Sequence, residues 1–150
     1  FTLITQNIDG LHKAAGSKNV VQLHGDILRT RCDAECGEPA FEDESGPAAV
    51  LPTCKACGAA LRPDIVLFGE LLPADATWAV KMALRDCDLF VAIGTSGTVT
   101  PASNFVRSAA YNDARTVLIN PEPMSPPNPY FGEHILATAE DGVPEFFGAL

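Results

Sequence analysis

Apolar and polar residues fall along this chain in short blocks, and the blocks predict an alternation of strands and helices. Phe1–Gln6 reads as a strand rich in Thr, Leu and Ile, followed at 7–18 by a polar loop and a short helix closed by Gly16. Val20–Leu23 is a second short apolar segment and leads to His24. Ile65–Phe68 predicts a strand, and Pro73 opens a helix over Ala74–Arg85. In that helix Trp78, Met82 and Leu84 fall roughly on one side, while Ala76, Ala79 and Ala83 add helix propensity. Leu89–Ile93 is a continuous apolar run, the pattern of a central parallel strand with both faces covered. A helix over Ala102–Tyr111 behind Pro101, strands at Thr116–Ile119 and Ile135–Ala137, and a closing helix over Val143–Leu150 complete the series. Strands and helices in this order predict an α/β fold with a parallel sheet.

From Arg29 to Arg62 the texture changes. Glycines, prolines and an acidic tract (Glu42, Asp43, Glu44) replace periodicity, and two cysteine pairs, Cys32/Cys36 and Cys54/Cys57, stand 17 residues apart. Zinc prefers tetrahedral thiolate coordination, and a close pair on a tight turn presents two sulfurs to one ion. Gly37 and Gly58, each directly after the second cysteine of a pair, supply the backbone freedom such turns need. The stretch is too polar to build its own core, so a structural zinc ion bound by Cys32, Cys36, Cys54 and Cys57 is expected to stabilise it. Disulfides or unligated thiols are the alternative. Four cysteine ligands would leave no open position for catalysis at the metal. Cys87, beyond the Ala74–Arg85 helix, reads as a small buried apolar residue.

Composition narrows the class. With 150 residues, 47% of them hydrophobic, the chain is long and apolar enough to bury a core. Ten Lys and Arg against nineteen Asp and Glu leave a formal charge of −9, which argues against nucleic acid as a partner. No apolar run approaches the roughly 20 residues that span a bilayer, and no signal-peptide pattern is present, so neither a membrane nor secretion is expected. Five cysteines in this composition point to metal ligation in a reducing compartment, the cytoplasm.

Polar groups gather where the predicted strands end, the position at which open α/β sheets bind nucleotides. Asn7 and Asp9 follow the first strand, Gly94-Thr95-Ser96 the Leu89–Ile93 run, and Asn120-Pro121-Glu122 the strand after it. Each has a plain alternative: Asn and Asp cap loops, and Gly and Ser make turns in many folds. An imidazole such as that of His24 can accept a proton near neutral pH, or it can serve as a structural histidine.

In order and spacing these segments resemble the sirtuins, the NAD-dependent protein lysine deacylases. The resemblance rests on Thr5–His12, Leu23–Gly25, the four cysteines, Arg62–Glu70, Ile93–Gly97 with Pro101, and Asn120-Pro121-Glu122. The 94–105 stretch and Val143-Pro144-Glu145-Phe146 are most similar to the bacterial desuccinylase-like branch. The resemblance implies a Rossmann-like parallel sheet (1–28 and 63–150) that binds NAD, with an inserted zinc-binding module at 29–62. His24 then matches the general base that activates a ribose hydroxyl after an acyl carbonyl has displaced nicotinamide. Gln6, Asn7, Ile8 and Asp9 match the nicotinamide-ribose pocket, and Gly94, Thr95 and Ser96 the cofactor-binding turn. Asn120, Pro121 and Glu122 match the adenosine-ribose turn, and Ala139 the adenine contact. Val66, Phe68 and Gly69 match the strand that pairs with the backbone of an acyl-lysine protein or peptide substrate.

The family also carries an earlier strand, a glycine-rich phosphate-binding turn and a loop with an arginine, so a segment is expected to precede Phe1. The Tyr and Arg that mark succinyl preference would lie there too. The implied activity is removal of acetyl- or succinyl-type groups from protein lysines, giving nicotinamide and O-acyl-ADP-ribose. A zinc-stabilised nucleotide-binding or interaction module without catalysis is the alternative, and mono-ADP-ribosyl transfer by the same residues to a different acceptor is a third reading, placed below deacylation.

Overall fold

The computed structural model describes residues 1–43 and 50–149. Glu44 of the acidic tract and Leu150 of the expected closing helix lie outside the described residues. The chain divides into two compact units, Phe1–Val80 and Lys81–Leu150.

In the first unit, β1 (Leu3–Thr5) and β2 (Val20–Gln22) pair in parallel, Leu3 opposite Val20, with α1 (Leu11–Ala14) on the connection between them. Leu23, directly after β2, is fully buried. The chain then enters β3 (Gly25–Cys32), a strand the sequence reading does not contain. It pairs antiparallel with β4 (Phe41–Glu42) on one side and β5 (Leu61–Ile65) on the other. Arg29 and Arg31 break the apolar pattern of β3, but both guanidinium groups reach across to Asp64 of β5, at 3.8 and 3.6 Å. The polarity that hides the strand in the sequence is thus matched charge on its neighbour.

The strand expected at Ile65–Phe68 is displaced: β5 ends at Ile65, and Val66–Phe68 continue outside it. The apolar run marks the segment directly after the strand, while β5 itself contains Pro63. Proline is tolerated because β5 lies at the edge of its sheet, where no outer neighbour needs its N–H.

Gly25 sits where β3 and β5 approach closely. It has φ of +83°, and a Cβ built there would lie 2.1 Å from the Asp64 carbonyl oxygen. Both the backbone conformation and the close β3–β5 contact require glycine. Gly25→Ala is therefore expected to destabilise the fold by about 2–4 kcal/mol, measured as a shift in the urea unfolding midpoint.

α2 (Ala74–Arg85) has the bounds its pattern predicts. Its buried positions are Val80 and Leu84, whereas Trp78 is 61% exposed, so the apolar side is rotated from the one expected. Cys87 is half-buried and its thiol donates to the Leu89 carbonyl at 3.2 Å.

The second unit carries a parallel sheet of β6 (Leu89–Ile93), β7 (Arg115–Asn120) and β8 (Glu133–Leu136), in that order. β7 is its centre and is covered on both faces, as its uninterrupted apolar run requires. Leu118 packs with Val106, Met124 and Phe131; Val117 and Ile119 pack with Phe146. Val106 belongs to α3 (Phe105–Tyr111), which a 3₁₀ turn at Ala102–Asn104 introduces, and Phe146 to α4 (Ala139–Gly148). α4 starts four residues before the expected Val143. Thr138 caps the helix, its hydroxyl accepting the Asp141 N–H at 3.4 Å. Among the described residues no helix is long and apolar enough to cross a membrane.

Candidate active site and metal centre

In the first unit six candidate residues, Gln6, Asn7, Ile8, Asp9, His24 and Val66, line one open cleft of about 450 Å³ together with Ile65. β1 delivers the 6–9 loop and β2 delivers His24, because parallel neighbours end on the same side. The loop is internally braced. Thr5, which is buried, accepts the Asn7 N–H through its hydroxyl at 3.1 Å, and an Asp9 carboxylate oxygen accepts the Leu11 N–H at 3.0 Å. Asp9 therefore does cap the turn into α1, as its plain reading holds, with its second oxygen available for other contacts.

His24 Nδ1 lies 3.0 Å from the Gln6 carbonyl oxygen. A carbonyl only accepts, so Nδ1 donates and Nε2 of the neutral ring carries the lone pair. This contact sets the imidazole in the tautomer a base requires. Two residues further along, the buried Asp26 pairs with Lys13 at 2.9 Å, tying α1 to β3. Burial opposes ionisation of Asp26, but the Lys13 ammonium and the Leu28 amide outweigh it and hold the carboxyl below its ordinary value. No local signal marks this pair, because its members stand 13 residues apart.

Val66 lines the cleft, whereas Phe68 and Gly69 do not, and the Phe68 side chain is fully exposed. The Val66 N–H donates to the His24 carbonyl at 3.0 Å. Ile65, which the apolar pattern marks only as a strand residue, is a further part of the cleft wall.

The four cysteines converge. All four Sγ atoms lie within 4.8 Å of one another, with Cys32–Cys57 at 3.5 Å and Cys36–Cys54 at 3.7 Å. These separations far exceed the roughly 2.05 Å of a disulfide. They match the roughly 3.8 Å between sulfurs held tetrahedrally at 2.3 Å from one zinc ion. Crowding disfavours four thiolates without a cation. The Ala59 amide favours the Cys57 thiolate, but the neighbouring Cys32, Cys36 and Cys54 sulfurs and burial push its thiol up to about 12. Burial also opposes ionisation of Cys32, where the Cys36 amide and the Cys57 thiol prevail and bring it to about 7. A divalent ion at the centre would favour the thiolate at every position.

In the second unit the turn after β6 begins at Gly94, with φ of +60°, and its N–H donates to the Ile119 carbonyl at 3.0 Å. The Asn120 side chain faces this turn. Its Oδ1 accepts the Thr95 N–H at 3.0 Å, and its Nδ2 donates to the Thr95 carbonyl at 2.8 Å. The structure thus brings Gly94–Ser96 and Asn120 together, with the amide of Asn120 spent on the turn. Ser96 is exposed and bonds the Thr98 hydroxyl at 2.9 Å. Pro121 and Glu122 are exposed, and Ala139 opens α4 just beyond Ala137, whose N–H reaches the Asn120 carbonyl at 3.0 Å.

The sequence pattern of the Sir2 family matches residues 1–101, two-thirds of the chain. The chain belongs to the Sir2 family. An NAD-dependent protein deacylase of Aquifex aeolicus is 45% identical over 122 residues, covering 81% of this chain and 51% of that protein. The Escherichia coli O6:H1 protein of the same name is 43% identical over 149 residues, covering 97% and 52%. The crystal structure of a Sir2 homologue in complex with NAD superposes with a TM-score of 0.91 at 35% identity, over 99% of this chain and 57% of that one. Sir2Tm bound to a propionylated peptide gives 0.85 at 29% identity, over 99% and 65%. The chain spans about half the length of the curated relatives it matches. Its fold is the Rossmann-like fold of this Sir2 family, with parallel sheets and a cluster of four cysteines placed to hold one metal ion.

Proposed function

We propose that this Sir2 chain takes part in NAD-dependent removal of acyl groups from protein lysines, a transferase reaction giving nicotinamide and O-acyl-ADP-ribose. The contact between His24 Nδ1 and the Gln6 carbonyl carries the reading, because it prepares Nε2 to accept a proton beside the cleft. When bound, NAD supplies an electrophilic ribose carbon and nicotinamide as the leaving group. His24 removes a proton from a ribose hydroxyl, while Gln6, Asn7, Ile8 and Asp9 shape the surrounding pocket. Gly94, Thr95 and Ser96 approach the cofactor through their backbone. Pro121, Glu122 and Ala139 serve its adenosine part, and Asn120 does so by holding the Thr95 turn. An acyl-lysine peptide pairs with Val66, Phe68 and Gly69. Among the described residues the Val66 carbonyl and both backbone groups of Phe68 and Gly69 make no hydrogen bond, which supports that assignment.

Cys32, Cys36, Cys54 and Cys57 hold a structural zinc ion, which the all-sulfur donor set and its tetrahedral spacing suit. Residues 29–62 then form the zinc module, and 1–28 with 63–150 the nucleotide-binding part. Thiols gathered at the spacing of a metal site favour action in a reducing compartment, the cytoplasm.

Nicotinamide release by the full-length protein tests this reading. Release from NAD is expected only when an acetyl- or succinyl-lysine peptide is present. NAD binding without peptide-dependent release would replace it with that of a binding module without catalysis. ADP-ribose left on protein would replace it with mono-ADP-ribosyl transfer.

A further inference from the structure

Residues 67–71 lie on the surface with little to hold them by burial: Leu67 is 51% exposed, Phe68 fully, and Leu71 93%. A segment without buried apolar area keeps one conformation only if polar contacts impose it. Two residues supply those contacts. The Arg62 guanidinium grips the Glu70 carboxylate with both prongs, Nη1 to Oε1 at 2.6 Å and Nη2 to Oε2 at 2.7 Å. Nη2 also donates to the Ile65 carbonyl at 2.8 Å, at the end of β5. Glu70 Oε2 accepts the Leu67 N–H at 2.9 Å, and the Glu70 N–H returns to the Leu67 carbonyl at 3.0 Å, closing a turn in which Gly69 has φ of +92°.

We propose that Arg62 and Glu70 are positioning residues that hold the Val66–Gly69 backbone in the shape required to pair with an acyl-lysine peptide. The inference rests on the deacylase reading and deepens it at the substrate side. The clamp acts on the loop's own ends: Arg62 binds the carbonyl that precedes Val66, and Glu70 binds the amide that precedes Phe68. The backbone groups of Phe68 and Gly69 are thereby left unpaired and fixed, the condition under which an extended peptide adds with little ordering cost. The pair is stronger than an ordinary surface ion pair because it is bidentate, and because the Arg62 side chain is only 18% exposed. The Arg62 grip and the Leu67 amide keep Glu70 ionised, lowering its pKa to about 2. Arg31 stands 3.8 Å from the same carboxylate, and Asp33 3.6 Å from Arg62, so the clamp is anchored on both sides of Cys32.

Steady-state kinetics of the zinc-loaded, full-length protein, compared with its Glu70→Gln and Arg62→Lys variants, provide the test. Each variant keeps a polar side chain but loses the bidentate ion pair. The peptide KM is expected to rise roughly tenfold or more, with the NAD KM and the zinc content unchanged. Hydrogen exchange of the Leu67 and Glu70 amides is expected to quicken in both. An unchanged peptide KM, or unchanged exchange at these amides, overturns the inference. Equal rises in both KM values, or lost zinc, mark a role in the whole fold and overturn it as well. Absence of acyl-peptide turnover in the wild-type protein overturns instead the deacylase reading on which it rests.

Discussion

His24→Ala is expected to lower peptide-dependent nicotinamide release and acyl transfer by about 10²–10⁴-fold, the usual contribution of a positioned general base. The side chain is partly exposed at the cleft, so its loss leaves no large cavity. The urea midpoint should move far less than for Gly25→Ala, whose added Cβ collides with β5. The discriminating measurement is single-turnover product formation at saturating NAD and peptide, beside an unfolding curve of the same preparation. Normal turnover by the variant would remove His24 from the base role. Turnover lost together with the fold would mean that the Gln6 contact is structural. The geometry favours a chemical role, since the Gln6 carbonyl fixes which ring nitrogen carries hydrogen.

Removal of the metal is expected to have the largest effect on the fold. Structural zinc contributes about 10–16 kcal/mol of apparent binding free energy in small zinc-dependent domains. Here the ion would join the end of β3, through Cys32, to the turn at Cys54–Cys57 just before β5. One zinc per chain is expected by elemental analysis. A strong chelator should abolish the antiparallel β3–β4–β5 sheet, seen as loss of amide protection in those strands. Cys54→Ser should do the same without chelator, because Cys54 is one of the two buried ligands. A chelated protein with unchanged protection and melting would show that the four thiols are not a structural metal site. The loss should extend to peptide turnover, since Arg31 and Asp33 flank Cys32 and both reach the Arg62–Glu70 pair.

Legibility in the sequence followed the range of the forces at work. α2 and β6 have the bounds their patterns predict, because both depend on residues within one or two turns or on an unbroken apolar run. β3 is not legible in the pattern because Arg29 and Arg31 interrupt its apolar run, and Asp64, which answers them, lies more than 30 positions away. β5 was displaced towards 65–68 because apolar density marked the cleft wall and the exposed loop more strongly than the edge strand beside them. The site shows the same division. The Thr5–Asp9 and His24 segments were visible as polar groups at strand ends, but the bond that selects the histidine tautomer was not. Asn120 was visible as a polar residue after β7, but not that both ends of its amide serve Thr95.

By itself the sequence determined the order of strands and helices from α2 onward, the grouping of four cysteines into two close sets, and the family to which those motifs belong. Each is a property of residue type and short spacing. Only the tertiary structure decided that the four sulfurs come within 4.8 Å, that Gly25 faces the Asp64 carbonyl, and that Arg62 and Glu70 close on each other around 66–69. These are contacts of a few ångströms between groups far apart in the chain. Pairing of β3 with β5 brings groups together across separations that no short run of residues spans.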